Sequence, residues 1–567
     1  MNRTHLLMAG LLLSAGLAGA QTPAITSVGN GASYDTKLAP GGYFVAFGTN
    51  LGPATIATNA LPYKGDAGGT SVKFTPVAGG TAIDAWMYYA AAGQISGILP
   101  STAAPGDYNM TVSFGATSAP FKVTVLDHNF GIFTTAQSGS GPAIVQNYTS
   151  DSEQPVNGFT TVSVNGTQFA PAIAGKTKAL VLWGTGLGAS PTPDNQGSGT
   201  ANDLRGPNLS ASVLIGGTEY QVDLYAGRSP QFPGIDQINV TLPANALQGC
   251  IVSLQVKVNG AVSNLTSLSL APDGQTACQS EYLSTDQLTR LMNGGTITSG
   301  FLNLSHQSTS ITAQGSTFNQ VTENLAGSFG KYTLGTVGNL GGAPAAILTT
   351  SIGGCTVIQE TFSGANLNSP PGIPLDAGSQ LTLNGPGVPN KAVPKSGGAY
   401  NVSLSQIGSS TSLIQAGEYT VTGPGGADVG QFTASLTVPA PLTWTNQSSI
   451  TSIDRSQPLG ITWTGGGSGY QVAIEGYSGS TNTTTKLNTA TIFVCLADSA
   501  AGSFTVPPAV LLQLPVSSGD ITSGALGFLT VQEVSSAKFT APLLAGGNVD
   551  NAVFSSAYGG ANMVPFK

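Results

Sequence analysis

Residues 44–53 read FVAFGTNLGP and residues 180–189 read LVLWGTGLGA. With Phe47 set on Trp183, Gly48 falls on Gly184, Thr49 on Thr185, Leu51 on Leu187 and Gly52 on Gly188. The correspondence continues in order: GGT at 79–81 with GGT at 216–218, Tyr89-Ala90 with Tyr225-Ala226, QISGILP at 94–100 with QINVTLP at 237–243, and FGATS at 114–118 with NGAVS at 259–263. The shift begins at 136 (183 − 47) and ends at 145 (259 − 114), the drift that a few loop insertions produce. Short glycine motifs matching by chance would not keep this order, so one unit is written twice.

Each copy reads as β-strands. YNMTVSF, FKVTVL, VSLQVKVNG and LTSLSL alternate apolar and polar residues, with FGATS and NGAVS as turns between them. Runs of that period, broken by Gly, Asn and Pro, predict a β-sandwich. In the repeated G-T-x-L-G the glycines supply positive φ or a bulge where a strand leaves the sheet, and the leucine plugs the sandwich end. No G-K-[ST] and no helix follows, so the segment is not a phosphate loop. AWMYYA, residues 85–90, carries three aromatics. Strict alternation puts Trp86 and Tyr88 on one face and Tyr89 on the other. Because Tyr89 matches Tyr225, it is expected inward and the Trp86–Tyr88 pair outward, where rings can stack on a sugar.

Taken together, VAFGTNLGP, LVLWGTGLGA, NFGIFT, LYAGRSPQFPGIDQINVTLP and VNGAVSN resemble the tandem Ig-like, TIG/IPT-like repeat of secreted acidobacterial (Solibacter-type) proteins. The resemblance covers about residues 25–271. It implies an exported Ig-like module with no catalytic residues to carry over. The first copy departs from the pattern at Gly97, where the second has Val240, so its strand is expected to be weaker or bulged.

The N-terminus, MNRTHLLMAGLLLSAGLAGA, has a positive start, an apolar stretch and an Ala-Gly-Ala end. That is the pattern of a signal peptide over residues 1–20, cleaved after Ala20. No later run approaches the ~20 apolar residues of a spanning helix. Cys250, Cys278, Cys355 and Cys495 are an even number in a chain read as exported, which favours disulfides. Of the three possible connectivities, Cys250–Cys278 and Cys355–Cys495 are expected. The first staples the second sandwich to the following linker; the second ties two sandwiches of the second half, or two strands if that half is one domain. Only 8% of residues are charged and the formal charge is −8, which leaves no basic footprint for nucleic acid.

After residue 273 the pattern changes. STDQLTRLMNGG predicts the one helix of the mature chain, over 284–293, with Ser284 and Gln287 as a capping box and Leu288, Leu291 and Met292 on one face. Strand signals resume in YTLGTVG, AAILTTSIGGCTVIQETFS, SQLTLNGPG, YNVSLSQI and GEYTVTGPGGADVGQFTASLTVP, the last a hairpin. TFNQVTENLAGSFGKYTLG fits strand or loop equally. Pro439 and Pro441 mark a boundary, and Trp444 and Trp463 read as core or sheet-face aromatics. The predicted organisation is all-β, tandem Ig-like sandwiches: residues 21–127, 128–273, 274–439 and 440–567.

For catalysis the residues offer little. No G-x-S-x-G elbow is present. His128 and His306 are the histidines that remain after residue 20, and both read as surface residues. Glu360, Glu418, Asp428, Glu475 and Asp498 are scattered, without the pairing a glycosidase needs. No Cys/His spacing suits a metal. The expectation is an extracellular or cell-surface binding or structural module without cofactor, contacting polysaccharide or another surface polymer. The alternative is a secreted carbohydrate-active hydrolase.

Overall fold

The computed structural model describes residues 22–567 except 136, 138, 140, 281–282, 314–315, 335, 337–349, 351, 364–371, 407–409, 468, 482–486 and 520–524. The predicted signal peptide, Gly335, Val337 and Gly338 of YTLGTVG and most of AAILTTSIGG lie outside the described residues; the strand expected over YTLGTVG instead ends at Tyr332, and Thr333 and Thr336 form a turn. The chain is all-β and is built from Ig-like sandwiches.

In the first sandwich, Tyr43–Thr49 pairs with Ala24–Asn30 on one side and Gln94–Ile98 on the other, and Trp86–Ala90 pairs with Gln94–Ile98. The facing sheet centres on Gly106–Phe114, between Thr70–Pro76 and Phe121–Val125. Period-two burial closes the core: Phe44, Ala46, Phe74, Met110 and Val112 are fully buried. The second sandwich repeats the plan. Ala179–Thr185 lies between Val145–Tyr148 and Asp236–Thr241, with Tyr225–Arg228 beyond, and Gly249–Val258 leads the facing sheet.

The repeated loop does what its residues require. Leu51 and Leu187 are fully buried and join their own cores. The residue between Thr and Leu takes positive φ in both copies: Asn50 at 55° and Gly186 at 103°. Gly97 also has a reason. A β-bulge lies opposite it, between Met87 and Tyr89. A Cβ at Gly97 would stand 2.6 Å from the Trp86 carbonyl oxygen and 3.2 Å from the Phe44 ring. The strand forms, and the irregularity falls on its partner.

The helix Thr285–Met292 has Ser284 as N-cap and both arms of the capping box. Leu288, Leu291 and Met292 pack with Phe159, Ile297 and Tyr332 around the Cys250–Cys278 bond, joining the second sandwich to the C-terminal half. A four-residue helix, Pro508–Leu511, is an addition to the single helix expected.

The expected division at 439/440 into two separate sandwiches is not what the strands do. Ile297–Ala313 and Ser316–Tyr332 form one long hairpin. Asn551–Met563, from the far end of the chain, pairs in parallel with Ile297–Ala313 and antiparallel with Ala525–Lys538. Gln471–Thr481 and Leu487–Asp498 extend the same sheet to Cys355–Ser363, where Cys355 stands opposite Cys495 and is bonded to it. One sheet thus serves two cores. Leu302, Leu325, Tyr419 and Phe554 belong to one; Val472, Ile474, Leu529, Trp444 and Trp463 belong to the other. Alternation decides the boundary between domains only when neighbouring strands are also neighbours in sequence, and here they are not.

Candidate functional site

The outer face of the first sandwich is the best candidate. Three cross-strand rows line it: Ser27–Phe47–Gln94, Gly29–Val45–Ser96–Tyr89, and Tyr43–Ile98–Trp86. No side chain in these rows is charged. The bulge corrects the alternation expected for AWMYYA. Met87 and Ala90 are the inward residues, both fully buried, so Trp86, Tyr88 and Tyr89 all lie outward. Tyr89 is therefore not the core residue its match to Tyr225 suggested; Tyr225 is half-buried as well.

Tyr88 is 39% exposed and stands at the centre of a ring cluster. Its centroid lies 5.8 Å from that of Tyr43, 5.5 Å from Tyr63 and 5.4 Å from Tyr89. The Tyr43 hydroxyl donates to Tyr63 Oη at 2.9 Å, and Gln94 Nε2 donates to Tyr89 Oη at 2.5 Å. Burial pushes the phenols of Tyr43, Tyr63 and Tyr89 up, so they remain protonated hydrogen-bonding groups. Leu61, beside this cluster in sequence, is exposed. Such a surface offers ring faces with hydroxyl and amide groups at their edges.

The second sandwich closes one side of this face. The Tyr43 N–H donates to Thr185 Oγ1 at 2.8 Å, and Thr185 Oγ1 donates to the Gly234 carbonyl at 2.6 Å. A Cβ on Gly234 would lie 2.7 Å from Ile98 and 2.8 Å from the Tyr43 ring, so only glycine fits there. Ser101 donates from both its N–H and its hydroxyl to Asp194, each at 2.7 Å.

Beneath the joint sits a buried ion pair, Arg228 Nε to Asp236 Oδ1 at 3.0 Å. Asp236 Oδ2 accepts from the N–H groups of Gly186 and Leu187, both at 2.7 Å. Arg228 reaches across to the Gly41 carbonyl of the first sandwich. Burial pushes the Asp236 carboxyl up, and the Arg228 charge and the two backbone donors pull against it. The first copy has Ala92 and Gly93 at these positions, and there the carbonyls of Gly93 and Ala92 accept from Gly48 at 3.1 Å and Leu51 at 2.9 Å. At the loop leucine the second copy thus has a carboxylate where the first has a backbone carbonyl.

A second polar constellation lies where the two C-terminal cores meet. Glu533, Tyr558, His306 and Glu323 stand opposite one another across four adjacent strands. His306 is buried and stacks on Tyr558 at 3.9 Å, not at the surface as expected. Its Nδ1 lies 2.8 Å from Glu323 Oε1 and 3.2 Å from Ser412 Oγ. A nucleophile–base–orienter relay needs the serine and the carboxylate on opposite ring nitrogens; here both meet the same one. Burial raises the Glu323 carboxyl, but donors from His306, Ser412, Ile414 and Leu413 outweigh it and hold it low. Burial raises the Glu533 carboxyl, only partly offset by Ser499 and Gly467. The two carboxylates are three strand spacings apart, about 14 Å, against the ~5–9.5 Å of paired glycosidase acids. Sequence reading missed Glu323 and Glu533 because the strands that carry them are not recognisable as neighbours. His128 is half-buried, with Nδ1 2.6 Å from the Leu187 carbonyl oxygen of the repeated loop. Among the described residues no helix is long and apolar enough to cross a membrane.

No protein-family model and no curated protein matches the chain. Among solved structures it is similar to the Bacteroides ovatus mixed-linkage glucan utilization locus SGBP-B in complex with mixed-linkage heptasaccharide. Identity there is 13% and the TM-score 0.20, over 53% of this chain and 66% of that one. SGBP-B from a complex xyloglucan utilization locus in Bacteroides uniformis matches at 11% identity and TM-score 0.15, over 85% and 96% of the two chains. The chicken CNTN1 FN1–FN3 domains match at 8% identity and TM-score 0.12, over 74% and 99%. These scores carry no argument about role, and the all-β, Ig-like architecture rests on the strand registers described above.

Proposed function

We propose that this chain is an exported, non-catalytic binding module that holds neutral polysaccharide on the outer face of its first sandwich, with Trp86 and Tyr88 as contact residues. The observation that carries this reading is the uncharged, ring-lined face around the exposed Tyr88. A pyranose ring presents a flat C–H face and peripheral hydroxyls, which complement ring faces with phenol and amide groups at their edges. Two disulfides suit an oxidising compartment, as the leader-like N-terminus of the sequence does. The single-nitrogen arrangement at His306 and the wide carboxylate separation weigh against the hydrolase alternative.

The test is retention of purified protein on swollen cellulose, chitin and xylan. Replacing Trp86 and Tyr88 by Ala together is expected to weaken retention, each ring contributing about 0.5–1.5 kcal/mol, with an unchanged far-UV circular dichroism spectrum. Wild-type protein that is retained by none of the three overturns the reading, and so does release of soluble sugar from any of them.

A further inference from the structure

The duplication copies the surface as well as the core. Phe47 stands directly opposite Gln94 in the first sandwich, and Trp183 directly opposite Gln237 in the second. One row over, Val45–Ser96–Tyr89 in the first corresponds to Val181–Asn239–Tyr225 in the second. Phe47, Gln94, Tyr89, Trp183, Gln237 and Tyr225 are all half-buried and outward. Trp183 is the one residue of Ala179–Thr185 that is not buried. Core packing accounts for repeated inward residues; it does not account for a ring, an amide and a tyrosine repeated at the same three outward positions.

We infer that the outer face of the second sandwich is a second binding subsite for the same class of ligand, a neutral polysaccharide chain, with Trp183 as its stacking residue. This rests on the reading proposed above and extends it from one site to two. Phe232, 52% exposed, meets Trp183 edge to face at 6.5 Å and widens the ring surface. Around it are amides: Trp183 Nε1 donates to Gln146 Oε1 at 3.1 Å, and Gln237 Nε2 donates to Asn239 Oδ1 at 2.9 Å. These amides keep further donors and acceptors for sugar hydroxyls. At the edge of the face Asp203 is paired with Arg205 at 2.6 Å, and Asp223 accepts from the Thr241 N–H at 2.9 Å. A face of rings and amides whose edge carries two carboxylates to one guanidinium selects an uncharged polymer over an anionic one. Because the two sandwiches are fixed to each other through Arg228, Thr185 and Asp194, a polymer long enough to reach both faces is held as a bivalent ligand.

The experiment uses the whole chain on swollen cellulose and, separately, cellotriose, which is too short to span two sandwiches. Trp183→Ala is expected to lower retention on the polymer by about tenfold or more, since the avidity of the second contact is lost. Cellotriose stoichiometry by titration calorimetry is expected to fall from two per chain to one. Trp183→Phe restores both, which a purely structural role for the indole N–H would not allow. Wild-type protein that binds one cellotriose, or Trp183→Ala protein retained like wild type, overturns the second subsite and leaves the first standing. Wild-type protein that is retained by none of cellulose, chitin and xylan removes both.

Discussion

Arg228 and Asp236 show how one position in a repeat changes its work. Both copies must satisfy the N–H groups of the G-T-x-L-G loop. At the leucine the first does so with the Ala92 carbonyl, the second with a carboxylate that needs a cation. Removing that cation leaves Asp236 charged and enclosed. Arg228→Ala is expected to cost about 3–5 kcal/mol, read as a fall in the urea midpoint of a fragment spanning residues 22–293, which keeps the Cys250–Cys278 bond and the helix beside it. The double change to the first copy's residues, Arg228→Ala with Asp236→Gly, is expected to recover part of the loss, because it removes the stranded charge. The loop motif was legible in sequence from its glycines and leucine. The ion pair was not, because Arg228 and Asp236 fall in what reads as an ordinary turn, and its partner Gly41 lies in the other copy.

At the scale of strands, the bulge in Trp86–Ala90 decides which aromatics face out. Simple alternation gives Trp86 and Tyr88 the same face, and that outcome holds; it also sends Tyr89 inward, and the extra residue of the bulge reverses that. A bulge leaves no mark on the strand that carries it, but Gly97 opposite is its trace in the sequence. Gly97→Val, which copies the second sandwich's Val240, is expected to destabilise by about 1–3 kcal/mol through overpacking, because the new Cβ meets the Trp86 carbonyl at 2.6 Å. Thermal unfolding of the 22–293 fragment measures it, and a stabilised variant would show that the bulge has another cause. The helix was readable to within a residue, since its capping box and its apolar face are local signals.

At the scale of the whole molecule, two sandwiches followed the order of the chain and the rest did not. A repeat can be recognised because its parts are near in sequence. The shared sheet of the C-terminal half joins strands hundreds of positions apart, so its alternating patterns were visible and its pairing was not. Residues 440–567 are accordingly expected not to fold alone. Expressed separately, they lack Ile297–Ala313 and Cys355–Ser363, which flank the sheet on either side. A fragment with sharp, dispersed amide resonances would show that the second core stands by itself. The disulfides add to the dependence. The Cys250–Cys278 bond spans 28 residues and the Cys355–Cys495 bond spans 140. These loops correspond to about 3.6 and about 5 kcal/mol of restricted unfolded-state freedom.

The parallel pairing of Asn551–Met563 with Ile297–Ala313 has a consequence in time. Ser299 meets Asn551, 252 residues later (551 − 299), and no nearer strand takes that place. As the chain emerges from a ribosome or a translocation pore, the first two sandwiches have all their partners at hand and close early. The long hairpin after them must wait with one edge open until nearly the entire remainder has appeared. Pairings of such long range are slow to form, and an open edge invites other chains while it waits. Ser305, Gln307 and Thr309, polar residues on one face of that strand, make it less adhesive in the interval before the molecule is finished.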